Sequence, residues 1–257
     1  MTTAQIALGL GSGGLIGFLL GLVGGGGSIL AVPLLLYVVG VPQPHLAIGT
    51  SAVAVAANAA IGLVAHARAG TVKWRCALVF ALAGGAGALA GSTLGKMVEG
   101  RRLILLFALL MIVVAGLMLA RRHEGGDPDA RLSARNAPAL VGLGLAAGGL
   151  SGFFGIGGGF LTVPALILAT GMPMLHAVGT SLFAIAVFGA ATAFNYARGG
   201  LVDWTLAATL IAGGLLGGAF GARAAGRLAA RKGAFTTAFA GVIILTALAM
   251  LAREWTR

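Results

Sequence analysis

The stretch from Gly24 to Pro33 reads GGGGSILAVP, and the stretch from Gly155 to Pro164 reads GIGGGFLTVP. Each is a glycine run followed by a short apolar segment ending in Val-Pro, inside a longer apolar region. Glycine loses more backbone entropy on folding than any other residue, so such a run breaks a helix. The segment that restarts at Ser28 or Phe160 opens with N–H groups that have no internal partner, at the positive end of its dipole. Such an end receives anions, and glycine lets a ligand reach the backbone, where successive N–H groups form a nest. Gly24, Gly25, Gly26, Gly27 and Ser28, with Gly155, Gly157, Gly158 and Gly159, are therefore candidate anion-binding positions. The competing reading, that the glycines only permit close packing, calls for small residues four apart rather than three or four in succession.

Other polar residues divide between chemistry and structure. The Gly-Thr-Ser triplets at 49–51 and 179–181 put the hydroxyls of Thr50, Ser51, Thr180 and Ser181 near the start of a helix. There they donate to an oxyanion or cap freed backbone groups. Asn58 and Asn195 fall inside helices, where an amide either glues helices together or meets a ligand. His66 and Arg68 end one helix and Arg198 ends its counterpart. They either snorkel as loop residues or greet an anion at a vestibule. His45 and His176, after the proline loops, are of a type that titrates near neutrality.

The six acids, Glu99, Glu124, Asp127, Asp129, Asp203 and Glu254, all fall in loops or at helix ends. A carboxylate proton relay and a cationic substrate are both disfavoured, since neither finds a buried negative charge. Gly149-Leu-Ser151-Gly152 is similar to the GxSG of intramembrane serine proteases, which need a histidine base in reach of the serine. His176 is the candidate base, while the matching Leu20 in the first half suggests a small packing residue instead. Cys76 stands alone, which excludes an internal disulfide and a two-cysteine site. No cofactor or metal is expected.

These residues require elements that span a bilayer. Of 257 residues 59% are hydrophobic and 9% charged, against about 25% charged in soluble domains. Several apolar runs reach the roughly 20 residues of a transmembrane helix. They are continuous rather than alternating, so a β-barrel is excluded. The chain reads as an all-α polytopic protein of an inner-type membrane, with the lipid bilayer as its partner. Net charge is +11. The Lys and Arg sit mostly in short loops, as topology signals rather than a nucleic-acid surface.

The two halves match. Pro33 pairs with Pro164, Gly40-Val-Pro42 with Gly171-Met-Pro173, and His45 to Ser51 with His176 to Ser181. Arg68 to Trp74 then faces Arg198 to Trp204 at an offset of 130, and Gly84, Gly87 and Gly91 face Gly214, Gly217 and Gly221. So many in-phase matches mark an internal repeat. Each half holds a first apolar segment (about 4–23, about 138–154), a glycine-broken short segment (about 28–39, about 160–170) and three full helices. The full helices are expected at about 45–66, 76–97 and 103–120, and at about 175–196, 205–223 and 234–252.

The division is residues 1–122, a polar connector at 123–137, and residues 138–257. If each half crosses an odd number of times, the halves are inverted and the 17 basic residues divide 11 to 6. That asymmetry favours the inverted arrangement, with the glycine segment a hairpin. Gly87-xxx-Gly91-xxx-Gly95 and Gly213-xxx-Gly217-xxx-Gly221 are packing faces within one protomer or between two, so a homodimer is compatible with the sequence.

The repeated GxGGG-x-L-x-V-P, the proline loop, the A-[IV]-G-T-S and the H/Y-x-R-x-G-x-V-x-W resemble the TauE/SafE family of sulfite exporters over nearly the whole chain. The resemblance implies a bacterial inner-membrane permease for sulfur-containing anions such as sulfite or organosulfonates, with other small organic acids as the alternative. It places the central anion site at Gly24 to Ser28 and Gly155 to Gly159, flanked by Thr50, Ser51, Thr180 and Ser181. The first run departs from the usual GIGGG, and Lys73 stands where its partner is Asp203, so the two ends of the molecule differ in charge.

Overall fold

In the computed structural model the described residues are 3–23, 25–120, 127, 130, 132–228 and 232–255, and they form helices and connecting turns without strands. Gly24 and most of the connector lie outside them. Helix α1 (Thr3–Val23) leads to a 3-10 helix (Gly25–Leu30), one α turn, α2 (Ala31–Leu34), and a π turn (Leu35–Val39). Three long helices follow: α3 (Pro44–Arg68), α4 (Trp74–Met97) and α5 (Gly100–Ala120). The same order returns as α6 (Ala137–Phe154), the short α7 (Gly159–Thr170), α8 (Met174–Arg198), α9 (Trp204–Leu228) and α10 (Lys232–Trp255). Among the described residues seven helices are long and apolar enough to cross a membrane.

Local chemistry sets these boundaries. Pro44 opens α3, where its missing N–H costs nothing. Asp203 caps α9 through its carboxylate, which accepts the Leu206 N–H at 2.9 Å. Pro164 lies inside α7, where it removes one helical hydrogen bond.

Glycine seams fix the packing. Leu10, Gly14 and Phe18 of α1 present carbonyls to Gly213, Gly217 and Gly221 of α9. Leu145, Gly149 and Phe153 of α6 do the same for Gly87, Gly91 and Gly95 of α4. In each case an added Cβ would overlap the facing backbone, so the paired helices touch main chain to main chain. Residue numbers rise together along both seams, so α1 runs parallel to α9 and α6 parallel to α4. The packing faces read from the sequence are thus occupied within one chain.

Helices α3 and α8 run antiparallel. Gly49 meets Tyr196, Gly189 meets Ala52 and Ala56, and Gly62 meets Leu182. The two broken segments meet between them: Ile29 and Leu30 share one apolar cluster with Ile156 and Phe160.

Candidate anion-binding site

The second glycine run carries the unusual backbone. Gly155, Gly157 and Gly158 have φ of +68°, +65° and +68°. This left-handed conformation costs an L-residue with a Cβ roughly 1–2 kcal/mol. The one side chain in the turn, Ile156, is fully buried in the central cluster and anchors it. Gly155 and Ile156 both donate to the Ser151 carbonyl, which closes α6. The Gly158 carbonyl accepts from the N–H groups of Leu161 and Thr162 and from the Thr162 hydroxyl at 2.7 Å, which pins the first turn of α7.

No acceptor among the described residues meets the N–H groups of Gly157, Gly158, Gly159 and Phe160. All four residues are buried. Buried backbone donors are almost always paired, so four in succession at a helix N-terminus make this turn the candidate anion site. Its walls come from α3 and α8. A Cβ at Gly157 would overlap Val55 Cγ1 and lie 3.4 Å from Ile185 Cγ2. A Cβ at Gly158 would lie 2.9 Å from Ser151 Oγ and 3.4 Å from the Phe188 ring. Ser51 donates to the Gly155 carbonyl at 3.1 Å and to Ile48 at 2.9 Å, tying α3 to the break.

The first run is built differently. Gly25 to Gly27 begin a right-handed 3-10 helix, and no glycine in this run with a described backbone has positive φ. A Cβ at Gly27 would sit 2.6 Å from the backbone of α1 at Ile16 and Leu20, so this glycine serves close approach. Ser28 is fully buried. The physical difference is residue 156: isoleucine gives the second turn an apolar anchor that the matching Gly25 cannot supply.

The flanking hydroxyls act as cross-braces. Thr50 Oγ1 accepts the backbone N–H of Asp203 at 2.9 Å, and Thr180 Oγ1 accepts that of Lys73 at 3.0 Å. Each threonine thus ties the start of one long helix to the residue preceding α9 or α4. Ser181 donates to Val178 at 2.8 Å within its own helix. Replacing Thr50 by valine leaves the Asp203 N–H unpaired and is expected to cost ~1–3 kcal/mol. Thr180→Val should cost as much. The two losses should add, because the braces lie at opposite ends of the antiparallel α3–α8 pair. Thermal unfolding in detergent checks this, and a double variant no less stable than either single one would refute independent bracing.

The two asparagines differ. Asn195 Nδ2 donates to Ser92 Oγ at 2.7 Å and Thr93 Oγ1 at 2.9 Å, and its Oδ1 accepts from Lys96 Nζ at 2.7 Å. It is a tie between α8 and α4, with its amide fully engaged. Lys96, near the C-terminal end of α4, also donates to the Asn195 carbonyl and stands 5.9 Å from the Tyr196 ring centroid. Asn58 is 6% exposed, and neither polar atom of its amide has a hydrogen-bond partner among the described residues. His66 Nδ1 lies 2.9 Å from Thr71 Oγ1. Arg68 and Arg198 are exposed at their helix ends, with the Arg198 guanidinium 5.8 Å from the Phe194 ring. None of these three reaches the glycine turn.

A family model described as sulfite exporter TauE/SafE matches residues 9–250. The chain belongs to the TauE/SafE family. A probable membrane transporter protein of Xylella fastidiosa is 51% identical over 99% of this chain and 98% of its own length. Probable membrane transporter protein YunE of Bacillus subtilis is 32% identical over 78% of this chain and 80% of its own. No solved structure matches. This TauE/SafE protein is a multi-pass membrane transporter and not an enzyme. Ser151, of the GxSG stretch, is fully buried.

Proposed function

We propose that this transporter carries small sulfur-containing anions, sulfite or organosulfonates, by alternating access. The anion sits on the N–H groups of Gly157, Gly158, Gly159 and Phe160. One observation carries the reading: four buried successive donors that meet no acceptor among the described residues, between two antiparallel helices from different halves of the chain. Dipole and N–H groups supply positive potential without a buried cation, which suits a singly charged oxyanion that must also leave. The two units are residues 1–122 and 138–257, joined by 123–137. The antiparallel course of α3 and α8 supports their inversion, so that each face of the membrane opens in turn around one central seat. An anion leaving a negative cell interior gains ~2.3 kcal/mol per charge per 100 mV, so export needs no coupling ion.

The test is flux in proteoliposomes with radiolabelled sulfite, with sulfoacetate and acetate as competitors and the membrane potential set in each direction. Saturable flux that follows the potential and is blocked by sulfoacetate rather than acetate is the expected result. Competition by acetate alone would favour the alternative, a permease for other small organic anions. No flux of any of the three would overturn the anion reading.

A further inference from the structure

We infer that Asn58 reads a second polar group on the substrate, so that this carrier prefers small anions with a hydroxyl or amine near the anionic head. The inference rests on Gly157 to Phe160 as the seat of that head. Ser51, Val55 and Asn58 follow one another at i, i+4 and i+7 on α3, which places them on one face of the helix. Ser51 bonds the Gly155 carbonyl and Val55 borders Gly157. Asn58 comes next, three residues and ~4.5 Å further along the axis. Asn58 is thus the next polar side chain along the face of α3 that borders Gly157.

Helix packing leaves the amide unsatisfied. It is more than nine-tenths buried, and neither Nδ2 nor Oδ1 has a partner. Such a group is costly to keep, and native structures rarely do so without a use. Helix glue does not explain it. Asn195 shows what glue looks like in this molecule, with every amide atom engaged. What Asn58 faces is Gly214, where a Cβ would overlap the amide.

The position that matches Asn58 in the second half is Phe188, at the same offset of 130. Phe188 fills the equivalent place in front of Gly84 and stacks on Phe80 with ring centroids 5.9 Å apart. One side of the centre is thus closed by hydrocarbon and the other bears a carboxamide. A carboxamide both donates and accepts, so it recognises a hydroxyl or amine and rejects a methyl in its place. Sites built this way discriminate far better than apolar ones.

The experiment compares ethanesulfonate with 2-hydroxyethanesulfonate in the proteoliposome assay, for the parent, Asn58→Leu and Asn58→Ser. Unfolding of the ligand-free proteins is measured beside it. The parent should move the hydroxylated anion at least about tenfold faster at limiting concentration. Asn58→Leu should bring the ratio close to one by slowing the hydroxylated anion, and its melting temperature should not fall. Asn58→Ser, which keeps a smaller polar group, should lie between. A parent ratio near one, or a ratio unchanged in both variants, overturns the inference and leaves the anion seat standing. Loss of stability and of all flux in both variants also overturns it, by making the amide structural. A parent that moves neither sulfonate nor sulfite overturns the proposed function and this inference together.

Discussion

Gly217→Val is expected to separate α1 from α9 and leave little folded protein. A Cβ at Gly217 would overlap the Gly14 carbonyl oxygen and lie 2.9 Å from the Gly14 Cα. Both are backbone atoms of a helix, so no rotamer change relieves the conflict. The helices must part, and the seam at Gly213 and Gly221 must open with them. Overpacking against movable side chains costs ~1–3 kcal/mol. Against a rigid backbone the loss should exceed that range. Inside a membrane the loss is not offset by solvation, because close van der Waals contact is itself what holds such helices together. The measurement is the monodisperse yield and melting temperature in detergent. Gly142→Ala is the control, since a Cβ there meets nothing within 4 Å. A Gly217→Val protein with parental melting temperature would mean that α1 and α9 are not in main-chain contact.

The helices were legible because a bilayer imposes length. The runs expected at 45–66 and 76–97 appear as Pro44–Arg68 and Trp74–Met97, and the extra residues belong to the end turns. The glycine breaks were legible as breaks, but their conformations were not. GGGGS and GIGGG read alike by propensity, whereas Gly25 to Ser28 lie in a 3-10 helix and Gly155, Gly157 and Gly158 take the left-handed conformation. Tertiary anchoring of Ile156 decides between them, and no local rule contains it. Thr50 illustrates a different blindness. A hydroxyl near a helix start is both donor and acceptor, and the sequence does not reveal that the Asp203 N–H arrives to be accepted. Lys96 and Asn195 were invisible as a pair for the same reason, being 99 residues apart. Long-range polar pairing depends on which helices the glycine seams bring together, and so follows from the fold rather than preceding it.

Gly157→Ala should abolish most transport while leaving a protein that folds. Two effects act at this position. At a φ of +65° the methyl group carries a strain of ~1–2 kcal/mol. It also overlaps Val55 Cγ1, and a β-branched side chain in a helix has essentially one χ1 rotamer, so Val55 does not swing aside. The turn shifts instead, and the four N–H groups no longer converge. Flux should fall at least about tenfold, equivalent to ~1.4 kcal/mol of lost binding. Strain alone is separated by Gly171→Ala, which has φ +70° at the end of α7 with nothing within 4 Å of the new Cβ. That variant should lose similar stability and keep its flux. Packing alone is separated by adding Val55→Ala to Gly157→Ala, which makes room for the methyl group. Stability should then recover in part while flux stays low, because the methyl still occupies the approach to the backbone donors. Flux that returned in step with stability would assign the defect to α3 packing and count against the nest as the seat of the anion.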